Sequence, residues 1–179
     1  MALTNEKLIA SYQDYAKERN SHSTSLNNFD INLIKGLVVG SRSKTILDFG
    51  SGHGNQYKSM RLNDRFCISI ENVHCYDIGI PEYSVIPDGQ FDGVISTDVL
   101  EHIPEKFLDE NIQTIFEKAS KFVYIAVHCG KSIKTLSDGS NAHCTIHPPA
   151  WWDKRIKQHN KDSIPLIIAY RIPVKKETN

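Results

Sequence analysis

TILDFGSGHGNQY, residues 45–57, is the stretch on which the reading of this chain turns. An apolar run ends in Asp48 and breaks at once into glycines at 50, 52 and 54. A run too short for a helix and followed directly by glycine predicts a buried strand entering a tight loop. Each glycine can take a positive φ or clear the room a ligand needs to approach the backbone. The loop is therefore expected to contact a ligand.

Which ligand is narrowed by chemistry. The dinucleotide fingerprint places glycine at its first, third and sixth positions, and the sixth position here is Asn55. Asp48, at the strand's end, repels a phosphate and attracts a cationic ligand, which argues against a nicotinamide dinucleotide. A phosphate-cradling loop of the Walker type needs Lys and then Ser or Thr after its last glycine, whereas Gly54 is followed by Asn55 and Gln56.

The stretch resembles motif I of the class I S-adenosylmethionine-dependent methyltransferases: a strand, an acid and G-x-G-x-G. Two later segments match that superfamily in order. VHCYDIG carries Asp77 at the end of a second strand, and FDGVISTDVLEHIPE looks like the fourth strand and the turn after it. The three matches span the middle of the chain. The resemblance implies an α/β fold with a doubly wound, mostly parallel sheet of about six or seven strands, helices on both faces and N-terminal capping helices. It implies S-adenosyl-L-methionine as cofactor. Asp48, Gly50, Gly52 and Gly54 would take its methionine part and Asp77 its ribose, Thr97, Asp98 and Val99 would run along it, and Ser51 and Ile78 would also bind it. A carboxylate suits the ribose because its two oxygens can accept both vicinal hydroxyls.

The chain's 179 residues are enough for one domain with a proper core. A single domain over 1–179 is expected, with a helical cap over 1–44 and the core over 45–174. Lysine plus arginine and aspartate plus glutamate number 21 each. With no overall basic field to hold a polyanion or a membrane surface, nucleic acid is not favoured as partner and a small molecule is. Cys67, Cys75, Cys129 and Cys144 show no C-x-x-C spacing and lie in or beside apolar segments, as free thiols of a reducing compartment do. There is no basic-then-apolar leader and no apolar run near the ~20 residues of a membrane helix. A cytoplasmic protein is expected.

Apolar residues at helical spacing predict a helix over residues 5–20 and another from Phe29 to near Gly40. A short helix is predicted over 55–63, its first amides facing the ligand, then strands at 73–76, 83–86, 91–96 and 122–127. Pro104 suits the opening of a helix, with Leu108, Ile112, Ile115, Phe116 and Ala119 on its core face. Residues 130–142 form a polar loop with a turn at Asp138-Gly139. A helix from Pro148-Pro149 and a last strand over 164–172 complete a trimmed sheet of about six strands. Residues 175–179 read as a polar tail. In open parallel sheets ligands sit beyond the carboxyl ends of the strands, where strand order reverses, so Asp48, Asp77 and Thr97-Asp98 are expected at one crevice.

Histidine suits proton removal from an acceptor near neutrality, and five are candidates: His53, His102, His128, His143 and His147. His102 and His143 are preferred as catalytic groups, each against a purely structural role in its turn or loop. Trp151 and Trp152 are adjacent on a helix, so one is expected in the core and the other at a pocket or interface. Asp98-x-x-Glu101-His102 with a later His143 resembles the divalent-metal cluster of small-RNA 3′-terminal 2′-O-methyltransferases, which carry Glu where this chain has Asp98; D-V-L-E-H is also widespread among metal-free relatives. No metal is expected. A zinc set of Cys129, His143, Cys144 and His147 fits no common finger spacing.

The function expected is methyl transfer to a small molecule or to an exposed sugar, amine or carboxyl group. The N/D-P-P-Y signature of DNA-amine enzymes is absent after the fourth strand, where Ser96-Thr97-Asp98-Val99 stands. The alternatives are a non-catalytic cofactor-binding sensor or scaffold and a metal-dependent RNA 2′-O-methyltransferase.

Overall fold

A computed structural model describes residues 26–136 and 139–173, together with Gln13. The helix expected over 5–20 and the tail at 175–179 lie outside the described residues, Gln13 excepted, and so does Asp138.

Among the described residues, five strands form one parallel sheet: β1 (Ile46–Phe49), β2 (Val73–Tyr76), β3 (Phe91–Thr97), β4 (Ala119–His128) and β5 (Leu166–Arg171), in the order β2-β1-β3-β4-β5. The α-helices among the described residues from 26 on are α1 (Asn28–Gly40), α2 (Asn55–Ser59), α3 (Leu62–Arg65), α4 (Glu105–Lys118) and α5 (Pro149–Lys157). Strand alternation sorts the core. Leu47, Phe49, Val123, Ile125 and Val127 join one apolar cluster with Leu108, Ile112 and Ile115 of α4 and Trp152 and Ile156 of α5. Ile46, Ile95, Phe122, Tyr124 and Ala126 join another with Ile31, Ile34 and Val38 of α1, Tyr57 of α2 and Leu62 of α3. No helix among the described residues is long and apolar enough to cross a membrane.

Two expectations about elements are corrected. Residues 83–86 are not a strand; a 3-10 turn, Pro81–Tyr83, ends at Tyr83 and irregular chain follows it. Pro81 and Pro87 bracket the segment and lack ladder donors, and Val85 is exposed. Among the described residues the sheet accordingly has five strands, not six or seven. The helix expected over 55–63 is broken at Arg61, which takes φ +51°. Tyr57 and Leu62 are both buried but five residues apart, about 140° around a continuous helix. The left-handed residue turns the chain so that both reach the same core.

α1 begins with reciprocal capping: Asn27 Oδ1 accepts from Phe29 N–H at 2.8 Å and Asp30 N–H at 3.0 Å, and Asp30 Oδ2 accepts from Asn27 N–H at 2.9 Å. Asp30 is buried and also accepts at Oδ1 from the Tyr124 hydroxyl of β4 at 2.6 Å. The cap thus fixes the helix to the sheet.

Candidate functional site

The chain runs outward from β1 to β2 and then crosses back to β3 on the other side of β1, so strand order reverses between β1 and β3. At the carboxyl ends Phe49 pairs with Tyr76, Thr97 with Ala126 and His128 with Arg171, which brings the segments after the strands to one edge of the sheet.

On the β1–β2 side the site is made of backbone. Gly50, Gly52 and Gly54 have φ of +89°, +57° and +64°. A Cβ on Gly50 would stand 2.2 Å from Val99 Cγ2, so the loop lies against the residue that follows β3 only because glycine occupies that position. A Cβ on Gly52 would meet nothing within 4 Å, leaving its backbone open to approach. Gly50 and Ser51 donate to Tyr76 O at 2.7 and 3.1 Å. Asp77 Oδ2 accepts from Gly52 N–H at 2.7 Å and Oδ1 from Gly79 N–H at 2.9 Å. The acid both caps its own turn and pins the glycine loop, with lone pairs left on each oxygen.

Asp48, the third residue of β1, is buried. Alternation puts it on the face shared with Ile46, under α2, where it is 3% exposed. Its Oδ2 accepts from the Tyr57 hydroxyl at 2.7 Å and from Gln56 Nε2 at 3.3 Å, and Gln56 also donates to Ser51 O at 3.0 Å. Burial pushes its carboxyl up to about 6, with Asp77 adding to the rise while Tyr57 and Gln56 oppose it. Asp48 is therefore tied to the glycine loop through Gln56, which bonds both its carboxylate and Ser51 O. Cys75, beside Gly54, is a thiol pushed up to about 12 by burial and by Asp48, so it is no nucleophile at neutral pH.

Beyond β3 the site is made of side chains. Thr97 is buried, Ile78 and Val99 are half-buried, and Asp98 takes φ +55°. The Asp98 carboxylate accepts at Oδ1 from Arg171 Nε of β5, whose Nη2 also donates to Asp30 Oδ2 at 2.9 Å. Burial raises the Asp98 carboxyl more than Arg171 lowers it. Arg171 was not singled out from the sequence, although one cation closing the run Leu166–Arg171 was its available signal.

Glu101 and His102 sit in the 3-10 turn Leu100–His102, onto which residues 142–145 are laced. Thr145 N–H donates to Glu101 O at 3.0 Å, and the Thr145 hydroxyl donates to Ile103 O at 2.6 Å. His102 Nδ1 donates to Ala142 O at 2.7 Å and His143 Nδ1 to Gly130 O at 2.6 Å. The rings of His102 and His143 stand 4.8 Å apart, centroid to centroid, and those of His128 and His143 4.9 Å. Glu101 is 0% exposed. Its Oε1 accepts from His128 N–H at 3.1 Å, and its Oε2 has no hydrogen-bond partner among the described residues. Burial, reinforced by Asp98, pushes this carboxyl up to about 8, and burial lowers His143.

No family model matches the chain, and no curated protein sequence matches it.

The structure brings His102, His143 and His128 together and leaves the other two candidate histidines outside. His147 Nε2 lies 3.1 Å from Glu105 Oε2 and its ring stacks on Trp151 at 3.8 Å. His53 is exposed on the glycine loop. Of the tryptophans, Trp152 is the core residue, at 0% exposure. Cys144 is exposed, its thiol donating to His102 O. Among the described residues, the metal-competent grouping that forms is Glu101, His102 and His143, without a cysteine.

Proposed function

We propose that this chain is an S-adenosyl-L-methionine-dependent methyltransferase of doubly wound α/β topology, acting in the cytoplasm on a small molecule or on an exposed sugar, amine or carboxyl group. The observation that carries the reading is the bond from Gly52 N–H to Asp77 Oδ2. It ties an open, left-handed glycine loop at the end of β1 to a carboxylate at the end of β2, beside the point where strand order reverses.

The residues fit the cofactor in kind. Asp77 keeps acceptor capacity for two ribose hydroxyls, the backbone around Gly52 is open, and the acids of this end favour a sulfonium over a phosphate. When bound, the cofactor supplies a methyl group on a sulfur that departs as a neutral thioether. The protein's part is to orient. Val99 against Gly50 sets the spacing between the loop and the turn after β3, and Gln56 and Asp48 hold the loop's shape. Alignment of acceptor and methyl at about 3 Å supplies most of what such a transfer needs.

Calorimetry with S-adenosylmethionine and its demethylated product tests the cofactor half. Binding at micromolar concentration is expected, weakened at least about tenfold in Asp77→Ala and in Gly52→Val. Absence of binding at millimolar concentration overturns the reading. Transfer of a tritiated methyl group to lysate fractions tests the reaction, and tight binding with persistent absence of transfer favours a sensor or scaffold instead.

A further inference from the structure

We propose that Arg171, the last residue of β5, is a positioning residue: anchored by Asp30 of α1, it fixes the turn Asp98-Val99 after β3 and, through that turn, the spacing of the glycine loop. On the cofactor reading above, on which this rests, that spacing sets the affinity for the ligand.

The backbone of Arg171 is set by the ladder to β4, where it pairs with His128 and its carbonyl accepts from Cys129 N–H at 2.9 Å. From there the guanidinium reaches two carboxylates on different elements. Nε donates to Asp98 Oδ1, and Nη2 donates to Asp30 Oδ2 at 2.9 Å. Asp30 is the fixed end. It is fully buried, its Oδ1 accepts from the Tyr124 hydroxyl at 2.6 Å, and its Oδ2 also accepts from Asn27 N–H at 2.9 Å in the cap of α1. With one side of the fork tied down, the other decides where Asp98 stands. A planar guanidinium with donors at set angles can do this, whereas a lysine nitrogen, one point on a flexible stem, cannot fix two carboxylates.

Asp98 is where such a hold is needed. Its backbone takes φ +55°, a left-handed conformation that is unfavourable for a residue with a side chain and persists where the surroundings determine it. Asp98 N–H still donates to Ala126 O at 2.9 Å, so bonding to β4 continues into the turn. The next residue is Val99, whose Cγ2 stands 2.2 Å from where a Cβ on Gly50 would be. Turn and glycine loop are thus packed directly on one another, and a shift at Asp98 drives Val99 against Gly50 or away from it. Gly50 N–H is held in turn on Tyr76 O at 2.7 Å. A continuous series of contacts therefore runs from the cap of α1 through Arg171 to the open loop after β1.

Amide hydrogen exchange on the full-length protein, with no nucleoside present, reads the turn, and calorimetry with S-adenosylmethionine reads the crevice. In Arg171→Lys, which keeps the charge and loses the fork, exchange at Asp98 and Gly50 is expected to quicken at least about tenfold. Cofactor affinity should fall about fivefold or more. Asp30→Asn should move both readouts the same way to a smaller degree. Asp30 is 0% exposed, so its effect on a ligand is relayed and is not a lost contact. Ile34→Val, a core truncation in the same helix, controls for lost stability and should change neither readout more than about twofold. Circular dichroism checks each fold, and Asp30→Asn decides alone if Arg171→Lys does not fold. The proposal is overturned by exchange at Asp98 no faster in these two variants than in Ile34→Val, or by faster exchange with cofactor affinity unchanged. A parent that does not bind the cofactor brings down the cofactor reading and leaves exchange to judge Arg171. A parent that binds, with both readouts indifferent to Arg171, brings down this proposal and leaves the cofactor reading standing.

Discussion

The two halves of the sheet's carboxyl edge are built differently. On the β1–β2 side the partners are amides and one carboxylate, and the geometry follows from three positive-φ glycines and Asp77. On the β3–β5 side the partners are side chains far apart in sequence: Asp30, Asp98 and Arg171 in one group, and Glu101, His102 and His143 in the other. Backbone geometry is set locally by which residues tolerate a left-handed turn, whereas a buried charge is tolerable only if the fold delivers its counter-charge. The first half is a loop conformation; the second is an assembly.

That contrast predicts which side breaks hardest. The largest effect is expected for Arg171→Met, which leaves Asp30 buried and Asp98 partly buried without their cation. Stability by urea denaturation should fall by about 3–5 kcal/mol, and adding Asp30→Asn should recover part of it. A loss under about 1 kcal/mol would mean that the assembled half does not depend on charge pairing.

Asp48→Asn comes next and has the opposite sign. The Asp48 carboxyl is raised in the folded chain, from 3.8 to about 6, so it binds its proton more tightly folded than unfolded. The cost of ionising it is absent below pH ~4 and complete above pH ~6, so the parent loses stability as pH rises through that window. Asparagine removes this dependence. The variant should gain on the parent by about 3 kcal/mol between pH 4 and pH 7, and parallel denaturation curves at the two ends test it.

Gly50→Ala sharpens the comparison from the backbone side. A methyl group at φ +89°, 2.2 Å from Val99 Cγ2, should cost about 2–3 kcal/mol from strain and overpacking together. Val99→Ala in the same chain should restore only the packing part, which a double-mutant cycle measures. The smallest effect is expected for His147→Ala. Its partner Glu105 is exposed, and thermal denaturation should register less than about 0.5 kcal/mol.

Legibility followed the same division. The strand before Gly50, the glycine loop, the helix opened after Pro104 and the burial of one of the two adjacent tryptophans were readable, because each depends on period, turn chemistry or a missing donor within a few residues, whereas which tryptophan is core was not. The strand expected over 83–86 was misread because its apolar residues match the period while the prolines on either side withhold ladder donors. The break at Arg61 was hidden because nothing in residues 55–63 says that Tyr57 and Leu62 must reach one core. Asp48 was legible as an acid at a strand's end, but not that its carboxylate turns beneath α2 to Tyr57 and Gln56.

By itself the sequence determined an α/β chain whose first glycine loop follows a buried strand and whose acids fall at strand ends, since alternation, glycine's access to positive φ and proline's missing N–H are properties of short segments. The tertiary structure alone decided which side chains meet. Gly130 and Ala142 direct the rings of His143 and His102 through their carbonyls, Arg171 pairs with Asp98, and Glu101 is left buried with one oxygen unmet among the described residues. Those outcomes depend on where β4 and β5 end in space relative to the turn after β3, a register set by hydrogen bonds between strands and by the packing of α4 and α5.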